Sequence, residues 1–317
     1  MGVNNIDHMH ESVTQQERPR SHKEQVRVLY ETLQRISVEL NAVLQEINSV
    51  NVERNPNQPQ LMVGSDCRIN MSAYWDTLGG PYPNKGAPET VKKDAQLVKA
   101  KEVEWGQLDD ERVRKHYHPS GEEEASREAW KLHEREKDGA LGEALVFSLL
   151  ARALGDRYLV VRSSEFDDYF NGVDTLVVDK KTGETVCAFD EVVGGELGPR
   201  HKEKLEKNRK RVEQGEAFGV KYGLSVNREG KFVRTGCENL SGFALRLPKD
   251  TMLDLLRDVQ PDTGLGDAER EVLLAMLNEA RAQAQEVARD LPDNPQATAR
   301  LEHISTLITA IETASAE

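Results

Sequence analysis

No run of apolar residues approaches the about 18 that a membrane-spanning helix requires, and the opening MGVNNIDHMHES lacks the apolar stretch of a secretory signal. The expectation is a cytoplasmic protein with no membrane partner. Cysteine is scarce: Cys67, Cys187 and Cys237 stand far apart with no CxxC pair, which speaks against a disulfide framework or a zinc knuckle and for reduced, buried thiols. Aromatic residues make up only 5% of the chain against 31% charged residues, so much of the length is expected on solvated helices around one compact centre. Positive charge is also in deficit. A formal charge of −13 argues against a protein that coats nucleic acid non-specifically, because that affinity comes from Lys and Arg neutralising phosphates.

What is present divides the 317 residues into unequal parts. Residues 1–22 are polar and irregular and read as disordered. Over 23–54 the apolar positions Val26, Leu29, Leu33, Ile36, Leu40, Val43, Ile47 and Val50 alternate spacings of three and four, a coiled-coil-type seam that needs a partner helix. The tail helix bearing Leu301, Ile304, Ile308 and Ile311 is a candidate partner, in the same chain or in a homodimer. Residues 55–88, with NPNQPQ and GGPYPNKGAP, read as an irregular linker. Residues 89–250 begin with two charged helices, about Glu89 to Lys115 and Ser120 to Leu154, the second opening on a capping-box-like Ser120 and Glu123. Short β-rich runs follow: YLVVR, DTLVVD, TVCAFDEVV, KYGLSV, KFVRTG and FALRLP. Residues 251–317 close the chain with a helical hairpin, Asp267 to Asp290 and Pro295 to Ser315, around LPDNP. The fold class is therefore α/β of the α+β kind, a small mixed central sheet flanked by helices.

Acids interrupt the apolar elements. On a helical wheel Glu143 shares a face with Val146, Phe147, Leu150 and Leu154, while Ser148 and Arg152 sit opposite, so Glu143 is expected to face the sheet. A buried carboxylate costs several kcal/mol unless it is paired, hydrogen-bonded or bound to a cation. Asp174 follows the tight Asn171–Gly172 entry to a strand, and Asp190 and Glu191 break the next strand. The turn DKKTGE makes the two strands antiparallel neighbours, and its loop length decides whether Asp190 or Glu191 shares the face of Asp174. The cluster PRHKEKLEKNRKR carries Arg200, Lys202, Lys204, Lys207, Arg209, Lys210 and Arg211 and reads either as a phosphate-contacting segment or as a solvated helix face. His116 and His118 read as solvated, and Trp75, Trp105 and Trp130 as packing anchors.

The order GALGEALVFSLLARALG, NGVDTLVVD, a short hairpin and VCAFDEV resembles the core of the PD-(D/E)XK nuclease-like superfamily over about 55 of 317 residues. The resemblance implies a restriction-endonuclease-like core, Mg2+ or Mn2+ held by Glu143, Asp174 and Asp190 or Glu191, and hydrolysis of phosphodiester bonds in DNA or RNA. Three oxygen ligands of this kind suit such hard cations. The family's lysine is missing, because Val192 or Val193 stands where it belongs. Lys202, Lys204 and Lys221 are the candidate replacements, with Lys221 the first choice as a charge among apolar neighbours. The alternative function is a catalytically inactive nucleic-acid- or protein-binding module assembling through its helical ends.

Overall fold

The computed structural model describes residues 20–54, 63–74, 87–194, 199–214, 216, 218–226, 232–259 and 264–313. Residues 1–19, the NPNQPQ stretch, Trp75 and most of GGPYPNKGAP lie outside them. The chain is α+β, 64% helical around a curled five-stranded sheet. No helix among the described residues is long and apolar enough to cross a membrane.

The β-branched runs form β1 (Tyr158–Arg162), β2 (Thr175–Asp179) and β3 (Thr185–Val193), an antiparallel meander. The chain then crosses through helix α6 (Pro199–Glu213) and strand β4 (Phe218–Val226) before β5 (Phe232–Leu247) returns parallel to β3. A parallel pair demands such a crossover, since no hairpin can join strands that run the same way. The sheet order is β1-β2-β3-β5-β4. KFVRTG and FALRLP, expected as separate strands, are one strand: its first half pairs with β4 and its second half with β3. Asn239, at φ 62°, takes up the bend where β5 changes partner, a left-handed conformation that asparagine tolerates better than most residues.

Nine helices are present among the described residues. Besides α6 they are α1 (His22–Arg54), α2 (Ala87–Gly106), α3 (Glu111–Tyr117), α4 (Glu123–Glu134), α5 (Asp138–Leu154), α7 (Lys249–Asp258), α8 (Asp267–Asp290) and α9 (Pro295–Thr313). The two charged helices expected after the linker are thus four. Ser120 does not form a capping box: its hydroxyl accepts from the Glu122 backbone N–H at 3.1 Å and bonds His118 Nδ1 at 2.9 Å, while α4 begins at Glu123 with Glu122 in the N-cap position that the box would give Ser120. The amphipathic reading of α5 also fails. Ser148 is fully buried, and Arg152 pairs with Glu269 of α8, so α5 has no solvent face.

The seam of α1 is used within the chain, and not on the tail hairpin. Leu29, Leu33, Ile36 and Leu40 are buried where α1 packs on α5 and α7, while α8 and α9 pack on one another. The side chains of Ile47 and Val50 lie outside the described residues. The three cysteines are free and buried. Trp130 is buried as an anchor, whereas Trp105 is 48% exposed and meets Tyr169 edge-to-face, with ring centroids 4.8 Å apart.

Helix α5 approaches the sheet closely because Gly142 has no side chain: a Cβ there would stand 1.8 Å from Val193 Cγ2. Gly142→Ala is therefore expected to destabilise the fold by about 1–3 kcal/mol through overpacking, despite the better helix propensity of alanine. Val193→Ala in the same chain should restore most of that loss in urea unfolding, a coupling that independent sites would not display.

Candidate metal centre

The site is built at the end of the sheet where β2 begins. Between β1 and β2 the run SSEFDDYFNG turns through a π-helical segment, Asp167–Asn171, that ends on Gly172 at φ 66°, a left-handed position glycine adopts without strain. Asp167 fixes this turn from inside. Its carboxylate accepts from Ser164 Oγ at 2.8 Å, Asn171 Nδ2 at 2.6 Å, and the backbone N–H groups of Lys221 and Tyr222 at 2.7 and 3.0 Å. Asp168, the next residue, is thereby aimed the other way, into the site.

Glu143 from α5, Asp168 from the turn and Asp174 from the entry to β2 each offer a carboxylate oxygen within 4.8 Å of the other two. The hairpin loop closes between the Asp179 N–H and the Glu184 carbonyl at 2.9 Å, and a bulge between Val177 and Val178 then shifts the register. Thr175 consequently faces Phe189, which sets Asp174 opposite Asp190. Glu191 stands on the face of Val193, against α5, and its backbone N–H donates to Asp174 Oδ2 at 2.7 Å. Both second-strand acids therefore border the cluster, Asp190 at its mouth and Glu191 beneath it.

Three cations enter from three different elements. Arg68, on the segment 63–74, pairs with Asp168 at 2.7 Å and approaches Glu143 at 3.9 Å. Arg162, ending β1, pairs with Glu143 at 3.3 Å. Lys204, on α6, pairs with Asp190 and donates to the Glu191 carbonyl at 3.0 Å. The segment expected to be a linker is thus part of the site. Its Ile69 N–H donates to the Arg162 carbonyl at 3.1 Å and Asn41 of α1 binds both backbone groups of Val63, which fixes Arg68 beside β1.

Electrostatics follow from burial and crowding. Burial, then the charges of Asp174 and Asp168, push the Glu143 carboxyl up to about 8 despite Arg162 and Arg68. Burial also raises Asp168, to about 6, against the pull of Arg68. Glu191 is 3% exposed, and burial with the charge of Asp174 raises it well above the ordinary carboxylate range. Burial works to lower the Lys204 ammonium, but Asp174 and Asp190 outweigh it and hold the group above its usual value.

The remaining expected site residues are elsewhere. The ammonium of Lys221 pairs with Asp94 at 2.5 Å and lies 4.8 Å over the Phe166 ring, so Lys204 and not Lys221 stands among the site acids. On α6, Lys202 and Lys207 are exposed, and a Cβ on Gly172 would lie 3.7 Å from Asp190 Oδ2 and 3.8 Å from Lys207 Nζ, which puts Lys207 at the mouth of the site. Arg209 pairs with Glu213, Glu286 and Asp290, Lys210 with Glu206, and Arg211 covers the Phe218 ring, so these three face away into local contacts. The side chain of Arg200 lies outside the described residues. Asp168 and Arg68 had no sequence signal beyond the doubled acid in SSEFDDYFNG, because neither lies in a periodic element.

The donor set fits a hard divalent cation: carboxylate oxygens converge, and Glu191 Oε1 and Oε2 are buried with no hydrogen-bond partner. Comparison with known proteins yields no matching family model, no similar curated protein and no similar solved structure.

The raised Glu143 carboxyl has a defined consequence. An acid that keeps its proton longer when folded contributes stability that is present below its unfolded pKa, about 4.3, and is lost as pH climbs through the folded value, about 8. In metal-free buffer the stability difference between wild type and Glu143→Gln should therefore fall from pH 5 to pH 8, by at most about 1.4 kcal/mol per pH unit. Chemical denaturation at several pH values reads this directly, and a difference that grows with pH would contradict the placement of Glu143.

Proposed function

We propose that the chain is a metal-dependent phosphodiester hydrolase acting on DNA or RNA, with a restriction-endonuclease-like core of the PD-(D/E)XK kind. The observation that carries this reading is Lys204: a helix outside the motif delivers an ammonium to the same acids that the resemblance singles out, where β3 offers only Val192 and Val193. The helix acid, the first-strand acid and the paired second-strand acids meet at one end of the sheet, and the mixed sheet with its parallel β3–β5 step accommodates them.

In this reading Glu143, Asp168 and Asp174 hold Mg2+ or Mn2+, with Glu191 buried behind them. The ion supplies Lewis-acid polarisation of the phosphodiester. Lys204, oriented by Asp190 and the Glu191 carbonyl, stands ready to offset the negative charge that develops on the phosphoryl oxygens. Arg68 Nη1 is buried without a partner and is a second donor available at that place. Lys207 at the mouth and exposed Lys202 are placed to track the adjacent phosphates, which reconciles a local nucleic-acid contact with an acidic chain.

One observation favours the reading as a silent binding module. Arg68 and Arg162 already pair with Asp168 and Glu143, so part of the cluster's charge is balanced without an ion.

Cleavage assays on plasmid, single-stranded DNA and RNA with Mg2+ or Mn2+ separate the two. Wild type is expected to cut at least one substrate, Asp174→Asn to cut none, and Lys204→Met to lose about 10²–10³ in kcat. Lys207→Met should mainly weaken binding and reduce its salt dependence by about one unit of slope. Lys221→Met should lower stability through Asp94 and leave kcat unchanged. Absence of cleavage by wild type on every substrate and metal selects the binding module.

A further inference from the structure

Among the described residues, Arg300 is buried without a carboxylate to pair with. Arg300, on α9, is 7% exposed, and one of its nitrogens, Nη2, donates to the Gly242 carbonyl of β5 at 2.6 Å. Its Nε and Nη1 are buried and have no acceptor at all. The guanidinium stands over the Phe243 ring, 5.3 Å from its centroid, and burial alone pulls its pKa down to about 10, with no acid nearby to oppose it. An isolated buried charge costs several kcal/mol unless an ion of opposite sign or a hydrogen-bond acceptor joins it. Arg162, the other buried arginine among the described residues, pairs with Glu143, and Arg152, whose side chain is 7% exposed, pairs with Glu269.

Arg300 lines a cavity of about 190 Å3 between the first turns of α9, the C-terminal end of α6 and the middle of β5. Its polar lining includes His303 and Ser241, whose Nδ1 and Oγ are 2.9 Å apart. When the serine donates to Nδ1, the ring carries its proton on Nε2 and adds a donor to the cavity. Glu216 also lines it but is exposed and makes no ion pair with Arg300 among the described residues. The volume is several times the about 30 Å3 share of one water and lies below the about 300–1,000 Å3 of pockets that take drug-sized molecules.

We propose that this cavity is a binding site for a small oxyanion of the phosphate class, whose counter-charge is the guanidinium of Arg300 and whose further donor is His303 Nε2, held in that tautomer by Ser241. The site shares no residue with the carboxylate cluster, so it stands whether or not the chain is a hydrolase. Its occupancy ties α9 to β5, because Arg300 already spans the two through Gly242.

The test is a thermal-melt titration of the full chain with inorganic phosphate, at ionic strength held constant with NaCl. A ligand that binds only the folded state raises Tm with the logarithm of its concentration above Kd. Phosphate is expected to do so, and Arg300→Met is expected to melt at or above wild type in phosphate-free buffer, because a lone buried charge has been replaced by an apolar chain of similar reach. The same variant should lose at least tenfold in phosphate affinity. Ser241→Ala and His303→Ala keep the arginine and should each weaken phosphate severalfold, which preserves the test if Arg300→Met does not fold. Adenosine 5′-monophosphate, too large for the cavity, should bind more weakly than phosphate. Phosphate no better than NaCl, an undiminished response in Arg300→Met, wild-type affinity in both Ser241→Ala and His303→Ala, or tighter binding of the nucleotide would each overturn the assignment.

Discussion

Where β2 begins, Asp174 is 4% exposed, accepts the Glu191 N–H, and shares a space only 4.8 Å across with the carboxylates of Glu143 and Asp168. Like charges this close in a low-dielectric interior repel strongly, and the surrounding architecture is arranged to answer that repulsion. Each neighbouring element delivers one cation: the segment 63–74 brings Arg68, β1 brings Arg162, and α6 brings Lys204. Those cations do not suffice for Glu191, whose two oxygens are buried and unpartnered. The compensation is partial, which distinguishes this cluster from an ordinary structural ion network and leaves it suited to a bound divalent ion.

The same logic links distant parts of the chain to the site. Helix α1 is remote from β2 in sequence, yet its Asn41 binds the backbone of Val63 and its Leu33 carbonyl accepts from Cys67, the residue before Arg68. Packing of α1 on α5 therefore positions both an acid and a cation of the centre. Helix α6, which reads in sequence either as a phosphate-contacting segment or as a solvated face, divides by face: Lys204 pairs with Asp190, Lys207 is exposed near the Gly172 turn, and Arg209 pairs with acids of α8.

How much of this was legible in the sequence depends on whether a residue sat in a periodic element. The strand runs, the tail hairpin and the buried face of α5 that carries Glu143 follow from hydrophobic spacing: β3, α8 and α9 begin where expected, whereas KFVRTG and FALRLP merge into β5 and the two charged helices divide into four. The register of Asp174 against Asp190 depends on a bulge between Val177 and Val178, and β-branched neighbours on both sides give no sign of it. Asp168 depends on a π-turn whose inner acid, Asp167, looks identical in sequence to its neighbour in the carboxylate cluster. Lys221 drew attention as a charge in an apolar strand, but its partner, Asp94, comes from a helix more than a hundred residues away. A pairing of that kind is a tertiary fact, and no local pattern encodes it. The burial of α5 on every side has the same origin: Ser148 and Arg152 look solvent-facing, but Ser148 is fully buried in the tertiary fold and Arg152 pairs with Glu269 of α8.

The centre and the Arg300 cavity stand in contrast. One gathers several buried carboxyl groups and the other a single buried guanidinium, and in each some buried side-chain atoms have no hydrogen-bond partner. The claim on which the account rests is that the first of these holds a divalent ion. Anomalous scattering from a crystal of the full chain grown with Mn2+ tests it most directly. A peak about 2.1–2.2 Å from carboxylate oxygens of Glu143, Asp168 and Asp174, with Lys204 still on Asp190, is the expected result. A fully ordered site with Arg68 and Arg162 on its acids and no anomalous peak at millimolar Mn2+ would contradict it.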